Sequence, residues 1–409
     1  MAVTGSITTR FKDEKGVDLG KTLIEKDYLI SVYPNIVNQF NTPMLMTWGG
    51  NDLGQLGDNT IVNKSSPVQT VARGANWKQV SCGYDCNTGI KTDGTLWTWG
   101  SNASYGQLGD NTVTPKSSPV QTIAFGTNWK QVSSGYRNTA AIKTDGTLWT
   151  WGRGDLGQLG DNTISDKSSP VQTVTFATNW KQVSAGRRHT AAIKTDGTLW
   201  CWGNNQFGQL GDNTTVAKSS PVQTIAFGTN WMQVSTGYQT TACIKIDGTL
   251  WTWGYNNNGQ LGNNTITSRS SPVQTVTFGT NWKQVTCGSF QMAAIKTDGT
   301  LWTWGSNASG QLGDNTTTKR SSPVQTIARG TNWKIADCGI GHAAAIKTDG
   351  TLWCWGYNGN GQLGDNTITN RTSPVQTILY GQNWKSVSCG NKNISLSKST
   401  TFAIKDGDF

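Results

Sequence analysis

A Trp-Gly pair recurs seven times along the chain, at Trp48-Gly49, Trp99-Gly100, Trp151-Gly152, Trp202-Gly203, Trp253-Gly254, Trp304-Gly305 and Trp355-Gly356. Successive pairs are 51 residues apart, except for one step of 52 caused by Tyr105, an extra residue before Gly106. All 20 tryptophans fall inside this register, so aromatic content belongs to the repeat and not to a local site. A unit of this length is one supersecondary element that cannot bury its own apolar surface; it needs neighbours. The unit is poor helix material and good strand material, with 49 glycines and abundant Thr, Val and Trp.

Within each unit four short strand-like runs are bounded by Gly, Pro, Asn or Asp; around the second pair they lie near Val68-Val71, Trp77-Cys82, Thr88-Thr92 and Thr95-Trp99. Four such strands make one propeller blade. Asp-Gly between the last two runs, as at Asp93-Gly94 and Asp349-Gly350, predicts a two-residue hairpin turn with positive φ at both positions. Gln107-Leu108-Gly109-Asp110-Asn111-Thr112 and its counterparts predict a Gly-bracketed loop in which Asp or Asn bonds its own backbone. Leu45 to Gly49 matches the last strand of a hairpin whose first half is missing, and Asn393 to Ser399 stands where that first half should be. The sequence therefore predicts an all-β, seven-bladed β-propeller of four-stranded blades over residues 45–409, closed by a blade built from both ends, with residues 1–44 as a separate N-terminal arm.

The loop Gly50-Asn51-Asp52-Leu53-Gly54-Gln55-Leu56-Gly57 and the run Val183 to Ile193 resemble the two signature stretches of the regulator of chromosome condensation repeat family; Gly339 to Ile346 repeats the second. The resemblance spans residues 45–409 and implies the same seven-bladed propeller. Through its founding member it also implies exchange of guanine nucleotide on a nuclear small GTPase and docking on nucleosomes, and through other members service in ubiquitin ligases and signalling. The even spacing leaves no room for the inserted wedge that exchange activity uses in that family, which argues against exchange here. The signature histidine stands only at His189 and His342, with Cys86, Asn138, Thr240, Gln291 and Asn393 at the other positions.

Catalytic chemistry has little to draw on. No glutamate follows Glu25, and twelve of the later aspartates are turn residues of the repeat, so no carboxylate pair suited to acid-base hydrolysis recurs. No Ser or Cys sits in an elbow with a His partner. Gly152-Arg153-Gly154-Asp155-Leu156-Gly157 fits a dinucleotide fingerprint, yet no helix follows; its Arg153-Gly154-Asp155 is a tripeptide of the integrin-binding type that arises easily by chance. Cys82, Cys287, Cys338 and Cys389 share one repeat position with Ser134, Ala185 and Thr236, while Cys201 and Cys354 replace Thr and Cys243 replaces Ala, which reads as small packed thiols, not disulfides. Cys86 is the exception, placed in a variable loop. Neither a metal, for want of paired Cys/His spacing, nor a cofactor is expected.

The formal charge of +10 resides in the repeats, since the first 44 residues carry five basic and five acidic side chains. Three rings hold most of it: Lys64, Lys116, Lys167, Lys218, Arg269, Arg320 and Arg371; Lys78, Lys130, Lys181, Lys283, Lys334 and Lys385, with Met232 in the remaining blade; and Lys91, Lys143, Lys194, Lys245, Lys296, Lys347 and Lys398. A solvated surface interleaved with Asp turns is the preferred reading over a nucleic-acid site. The positions most free to vary follow the glycine of the second signature: Tyr84-Asp85-Cys86, Tyr136-Arg137-Asn138, Arg187-Arg188-His189, Tyr238-Gln239-Thr240, Ser289-Phe290-Gln291, Ile340-Gly341-His342 and Asn391-Lys392-Asn393. A fixed register gathers them at one end of the ring, and they are rich in Tyr, Phe and Arg, the residues of binding hot spots. The ligand face is therefore expected at Tyr84, Asp85, Tyr136, Arg137, Arg187, Arg188, His189, Tyr238, Gln239, Phe290 and Lys392.

In the arm a short helix is expected around Lys21 to Val32, before Tyr33-Pro34-Asn35 breaks it. No run approaches the ~20 apolar residues of a membrane span, and Met1 to Arg10 lacks the apolar core of a secretory signal, so neither membrane insertion nor export is expected. Near-identical blades, no catalytic set and a docking arm suggest a bacteriophage virion component, such as a tail, baseplate or fibre protein. On that reading it joins other virion proteins through residues 1–44 and meets a host-surface glycan or protein through the variable loops. The alternative is a cytoplasmic partner-binding propeller, with GTPase exchange or chromatin binding as its sharper form.

Overall fold

The computed structural model describes residues 7–12, 18–24, 43–71, 76–124, 126–175, 177–225, 228–276, 279–328, 330–379, 381–390 and 399–406. Seven antiparallel four-stranded sheets form the blades of a ring. Blade 1 is typical: Trp77–Cys82 is innermost, followed outward by Cys86–Lys91, Leu96–Gly100 and Lys116–Gln121. Blades 2 to 6 repeat this order with innermost strands Trp129–Ser134, Trp180–Ala185, Trp231–Thr236, Trp282–Cys287 and Trp333–Cys338. Among the described residues no helix is long and apolar enough to cross a membrane.

Blade 7 closes the circle with strands from both ends. Trp384–Cys389 and Thr400–Lys405 come from the C-terminal side, and Met44–Gly49 and Lys64–Gln69 complete the sheet. Gly49 faces Thr400 just as Gly356 faces His342 in blade 6. The closing strand is thus Thr400–Lys405, and not the run Asn393 to Ser399 that the sequence suggested. Additional residues between Gly390 and Thr400 displace the register, so Thr400, and not Asn393, is the counterpart of the signature histidine. The first propeller strand starts at Met44, one residue ahead of the expected boundary. In the arm, Ile7–Lys12 pairs antiparallel with Asp18–Ile24. That pairing replaces the first part of the helix expected around Lys21 to Val32, since β-branched Thr22 and Ile24 suit a ladder; residues 25–42 lie outside the described residues.

Tryptophans couple each blade to the one before. The indole Nε1 of Trp99 donates to the Gln55 carbonyl of blade 7 at 2.9 Å, Trp151 to Gln107 of blade 1 at 3.0 Å, and so on until Trp48 closes on Gln362 at 2.8 Å. Each of these indoles is fully buried and meets the first tryptophan of an innermost strand nearly edge to face, as in Trp77 against Trp99 at 5.9 Å. Burying about 200 Å² of ring contributes roughly 5 kcal/mol each before entropy is counted.

A second set of contacts joins the innermost strands, and it is uneven. In blades 1 to 5 a glutamine clamps the next blade's backbone with both ends of its amide. Gln79 Nε2 donates to the Val132 carbonyl at 2.9 Å while Oε1 accepts its N–H at 3.1 Å, and Gln131, Gln182, Gln233 and Gln284 repeat the clamp. Blades 6 and 7 carry Ile335 and Ser386 at this position, so the clamps stop there. Two residues further along, serine hydroxyls accept an N–H of the next blade, as Ser184 does from Thr236 at 3.0 Å. In blade 6 this serine is Asp337, whose carboxylate accepts the Thr286 hydroxyl of blade 5 at 2.5 Å and the Cys389 N–H of blade 7 at 2.8 Å. One carboxylate therefore joins three blades and supplies the link from blade 6 to blade 7, where the amide clamp is missing. These strands enclose an axial cavity of about 180 Å³ lined by all seven blades.

The Asp-Gly connections differ from the two-residue turn expected. Lys91 N–H bonds the Thr95 carbonyl and Gly94 N–H the Lys91 carbonyl, which makes a three-residue loop in which only Gly94 has positive φ, +81°. Asp93 serves instead as a cap: its carboxylate accepts the Thr95 N–H and hydroxyl, and these bonds hold its pKa below the ordinary value.

Candidate functional site

The ring has two unlike ends. One carries the Asp-Gly loops and the Lys78 ring. The other carries the variable triplets together with the long loops that follow each Trp-Gly pair, because the triplets and those loops leave from paired strand ends. At this second end, the inner rim is glycine: a Cβ on Gly135 would stand 2.3 Å from the Gly186 carbonyl of the next blade. The first residue of a triplet bonds that neighbouring glycine, as Tyr136 N–H does to Gly186 at 3.3 Å. The second residue's carbonyl receives the N–H directly after a Trp-Gly pair, as Arg137 does from Arg153 at 2.7 Å. Both loop families are thereby fixed to each other.

In blades 1 to 6 the third residue of the triplet begins a strand and is buried, contrary to its expected place in a variable loop; Asn393 lies outside the described residues. Cys86 and His189 are fully buried, and His342 Nε2 lies 3.0 Å from the Thr401 hydroxyl of blade 7. Burial lowers the His342 pKa to about 4. His189 does the equivalent work against Thr241 of blade 4 at 3.0 Å. These residues are inter-blade pegs, so His189 belongs to the core and not to the ligand face. All eight cysteines are free and buried, Cys86 included, and desolvation pushes the Cys86 thiol up. Among the described residues no group of three or more His, Cys, Asp or Glu is placed to hold a metal.

The first and second triplet residues do come together. Tyr84 packs on Tyr136 at 4.8 Å, the Arg187 guanidinium lies over both Tyr136 at 5.4 Å and Tyr238 at 4.3 Å, and Tyr238 meets Phe290 at 5.0 Å. Arg187 also donates to the Tyr238 hydroxyl at 2.6 Å. Arg137 leans on Tyr136 at 4.9 Å and sits 3.7 Å from buried Asp85. Burial is the largest influence and works to lower the Arg137 pKa, but Asp85, Tyr136 and Tyr105 together outweigh it and the net shift is upward. Gln239 is nearly buried beside this strip, and Lys392 lies outside the described residues.

The strip also contains residues that the triplets did not reveal. Tyr105 lies against Arg137 and Arg153, both at 5.1 Å, and the aromatic run continues from Phe290 to Tyr255 at 6.3 Å and from Tyr255 to Phe207 at 4.8 Å. For Arg153 and Tyr255 a signal was in the sequence, since the residue directly after each Trp-Gly pair varies as freely as the triplets, through Gly50, Ser101, Arg153, Asn204, Tyr255, Ser306 and Tyr357; Tyr105 and Phe207 lie further along their loops. Arg153 turns back to pair with Asp155 at 2.6 Å, so this Arg-Gly-Asp is closed on itself.

Two of the three basic rings are occupied. Lys91 lies over Trp77 and Trp97 at 5.4 and 4.4 Å, and its counterparts repeat the sandwich in blades 2 to 6. In blade 7 the position belongs to buried Lys405 and not to Lys398, which lies outside the described residues. In the first ring Lys64, Lys167, Arg320 and Arg371 pair with the loop aspartates Asp58, Asp161, Asp314 and Asp365 at 2.8 to 3.8 Å. The second ring, Lys78 and its counterparts, is exposed on the Asp-Gly face.

A seven-bladed ring of four-stranded blades, with one varied, aromatic and arginine-rich end, defines a β-propeller of the repeat class. The chain belongs to the RCC1-like domain family, whose model matches residues 44–397. It is 30% identical to the ultraviolet-B receptor UVR8 of Arabidopsis thaliana over 341 residues, covering 81% of this chain and 77% of that one. It is 28% identical to the human E3 ubiquitin-protein ligase HERC2 over 364 residues, 85% of this chain but only 7% of the ligase. Among solved structures, human WBSCR16 superposes with a TM-score of 0.79 at 21% identity, over 90% of this chain and all of that one. Prp20p of Saccharomyces cerevisiae, described with its binding to Gsp1p and histones, gives 0.79 at 18% identity over 90% and 92% of the two chains. These structural likenesses speak for the fold.

Proposed function

We propose that the protein is a non-catalytic recognition module that binds a partner protein through the variable-loop face of blades 1 to 5. The observation that carries this reading is the continuous strip from Tyr84 to Phe290 and Phe207, where Tyr, Phe and Arg replace one another at positions the fold leaves free. Such residues, half-buried save for the buried Tyr84 and already ordered, lose little side-chain entropy on binding. Receptor, ligase-associated and histone-binding relatives support a binding role. A photo-crosslinking residue at Tyr238 tests it in the native source. One protein should be captured there and not from position Lys78 on the opposite face; equal capture from both faces would overturn the reading.

Guanine-nucleotide exchange and histone binding are its sharper forms, checked by nucleotide release from a small GTPase and by histone pull-down. Placement in a virion is a second reading, which rests on the separate hairpin of the arm; proteomics of purified particles decides it, and the character of the relatives favours the first.

A further inference from the structure

We propose that the variable-loop face takes an acidic segment of its partner protein, with side-chain carboxylates seated on Arg187 and Arg188. The inference deepens the partner-binding reading above and rests on it. Of the four arginines in the strip, two are already neutralised: Arg137 by Asp85 at 3.7 Å and Arg153 by Asp155 at 2.6 Å. Among the described residues no carboxylate lies within ion-pair distance of Arg187 or Arg188. Arg187 is instead held flat between Tyr136 and Tyr238, with one of its nitrogens spent on the Tyr238 hydroxyl. The Nε atoms of both arginines are buried and carry no hydrogen bond.

Burial lowers the Arg187 pKa, and the like charges of Arg188 and Arg153 add to the effect. Asp155 feels Arg188 while bound to Arg153, and Asp166 accepts the Gly154 N–H beside it at 2.8 Å. With Arg153 paired to Asp155, the Arg187 and Arg188 guanidiniums keep their positive charge in a half-buried, aromatic-walled position. A guanidinium offers a planar fork that matches a carboxylate, and an incoming acid would relieve the mutual repulsion of the arginines. The tyrosines on either side fix the fork in advance, which removes much of the ordering cost of binding.

A nucleic acid fits this face less well. Continuous phosphate tracking needs a row of free cations, whereas the first basic ring is paired with aspartates in four blades, the third is sandwiched by tryptophans, and the exposed second ring lies on the opposite end. Two adjacent free guanidiniums among aromatic rings suit a short acidic stretch of protein.

Fluorescence anisotropy with labelled octaglutamate tests this, against octaglutamine and a decathymidylate of matched label. Octaglutamate should bind, octaglutamine should not, and Arg187→Gln with Arg188→Gln should weaken binding at least tenfold. Lys78→Gln with Lys130→Gln should leave it within twofold, which separates the site from general attraction by net charge. Arg188→Lys, which keeps charge and loses the fork, should fall between and shows that a loss is not misfolding. Equal loss in the two glutamine double variants, or tighter binding of decathymidylate, would overturn the proposal. If octaglutamate fails to bind while the Tyr238 crosslink to a partner persists, the acidic segment is wrong and the recognition face stands; loss of both removes the face.

Discussion

Blades 1 to 5 and the junctions around blade 7 solve the same problem of inter-blade cohesion in different ways. Along the first arc every innermost strand is held to the next by a two-ended glutamine amide, and the same arc carries the aromatic and arginine strip. Around the seam the amides are replaced by Ile335 and Ser386, and the single carboxylate of Asp337 bridges blades 5, 6 and 7. The triplet of blade 6, Ile340-Gly341-His342, contributes no aromatic ring to the strip. The aromatic and arginine strip thus sits where the scaffold is most evenly tied, as the proposed recognition face would need for side chains held in place beforehand. The seam depends on fewer bonds, of which the link from blade 6 to blade 7 is charge-assisted and the link from blade 7 to blade 1 is the Cys82 N–H on the Ser388 hydroxyl at 3.0 Å.

Three substitutions or conditions separate the two regions. Asp337→Ala should cost about 4 kcal/mol, since two charge-assisted hydrogen bonds go and two buried donors are stranded; the unfolding midpoint in guanidinium reports it. Asp337→Ser should recover most of that loss, because serine accepts the next blade's N–H in other blades. If alanine is tolerated there, the seam is not held by this carboxylate.

Acid should also act on the seam, through His342. Its folded pKa, about 4, lies below the ordinary 6.5. Between these values the unfolded chain binds the proton and the folded one does not, so stability falls as pH drops from about 6.5 toward 4, by roughly 3 kcal/mol. His342→Gln, which copies the residue that blade 5 carries at Gln291, should flatten that slope in urea titrations; an unchanged slope assigns the acid sensitivity elsewhere. The smallest effect is expected in the clamped arc. Gln182→Ala removes two neutral hydrogen bonds of five equivalent clamps and should cost about 2 kcal/mol. Hydrogen exchange at the Val234 amide, which loses its acceptor, should rise without opening blade 7.

The repeat made the blade count and strand order legible, because the same apolar and Gly positions are written seven times. Closure was legible in kind but not in place. Asn393 to Ser399 looks strand-like and sits at the ordinary distance from Gly390, so nothing local betrays that the true partner of Met44–Gly49 begins at Thr400. The charge rings misled for a different reason: Lys91 and Trp77 lie on paired strands, and their contact is invisible in linear order. The triplets gather at one end of the ring, yet variation alone does not tell a half-buried Tyr136 from a buried His189, since a peg between blades also tolerates Asn, Thr or Gln. Tyr105, Arg153, Phe207 and Tyr255 belong to loops that only the third dimension brings beside the triplets.

The most direct test of the recognition face uses the partner captured at Tyr238. Its affinity for the Tyr136→Ala, Arg187→Ala, Tyr238→Ala chain should fall at least a hundredfold by surface plasmon resonance. The Lys78→Ala, Lys130→Ala, Lys181→Ala chain, altered on the opposite face, should bind as the unaltered protein does. Undiminished binding by the first chain, with its unfolding midpoint intact, would contradict the account.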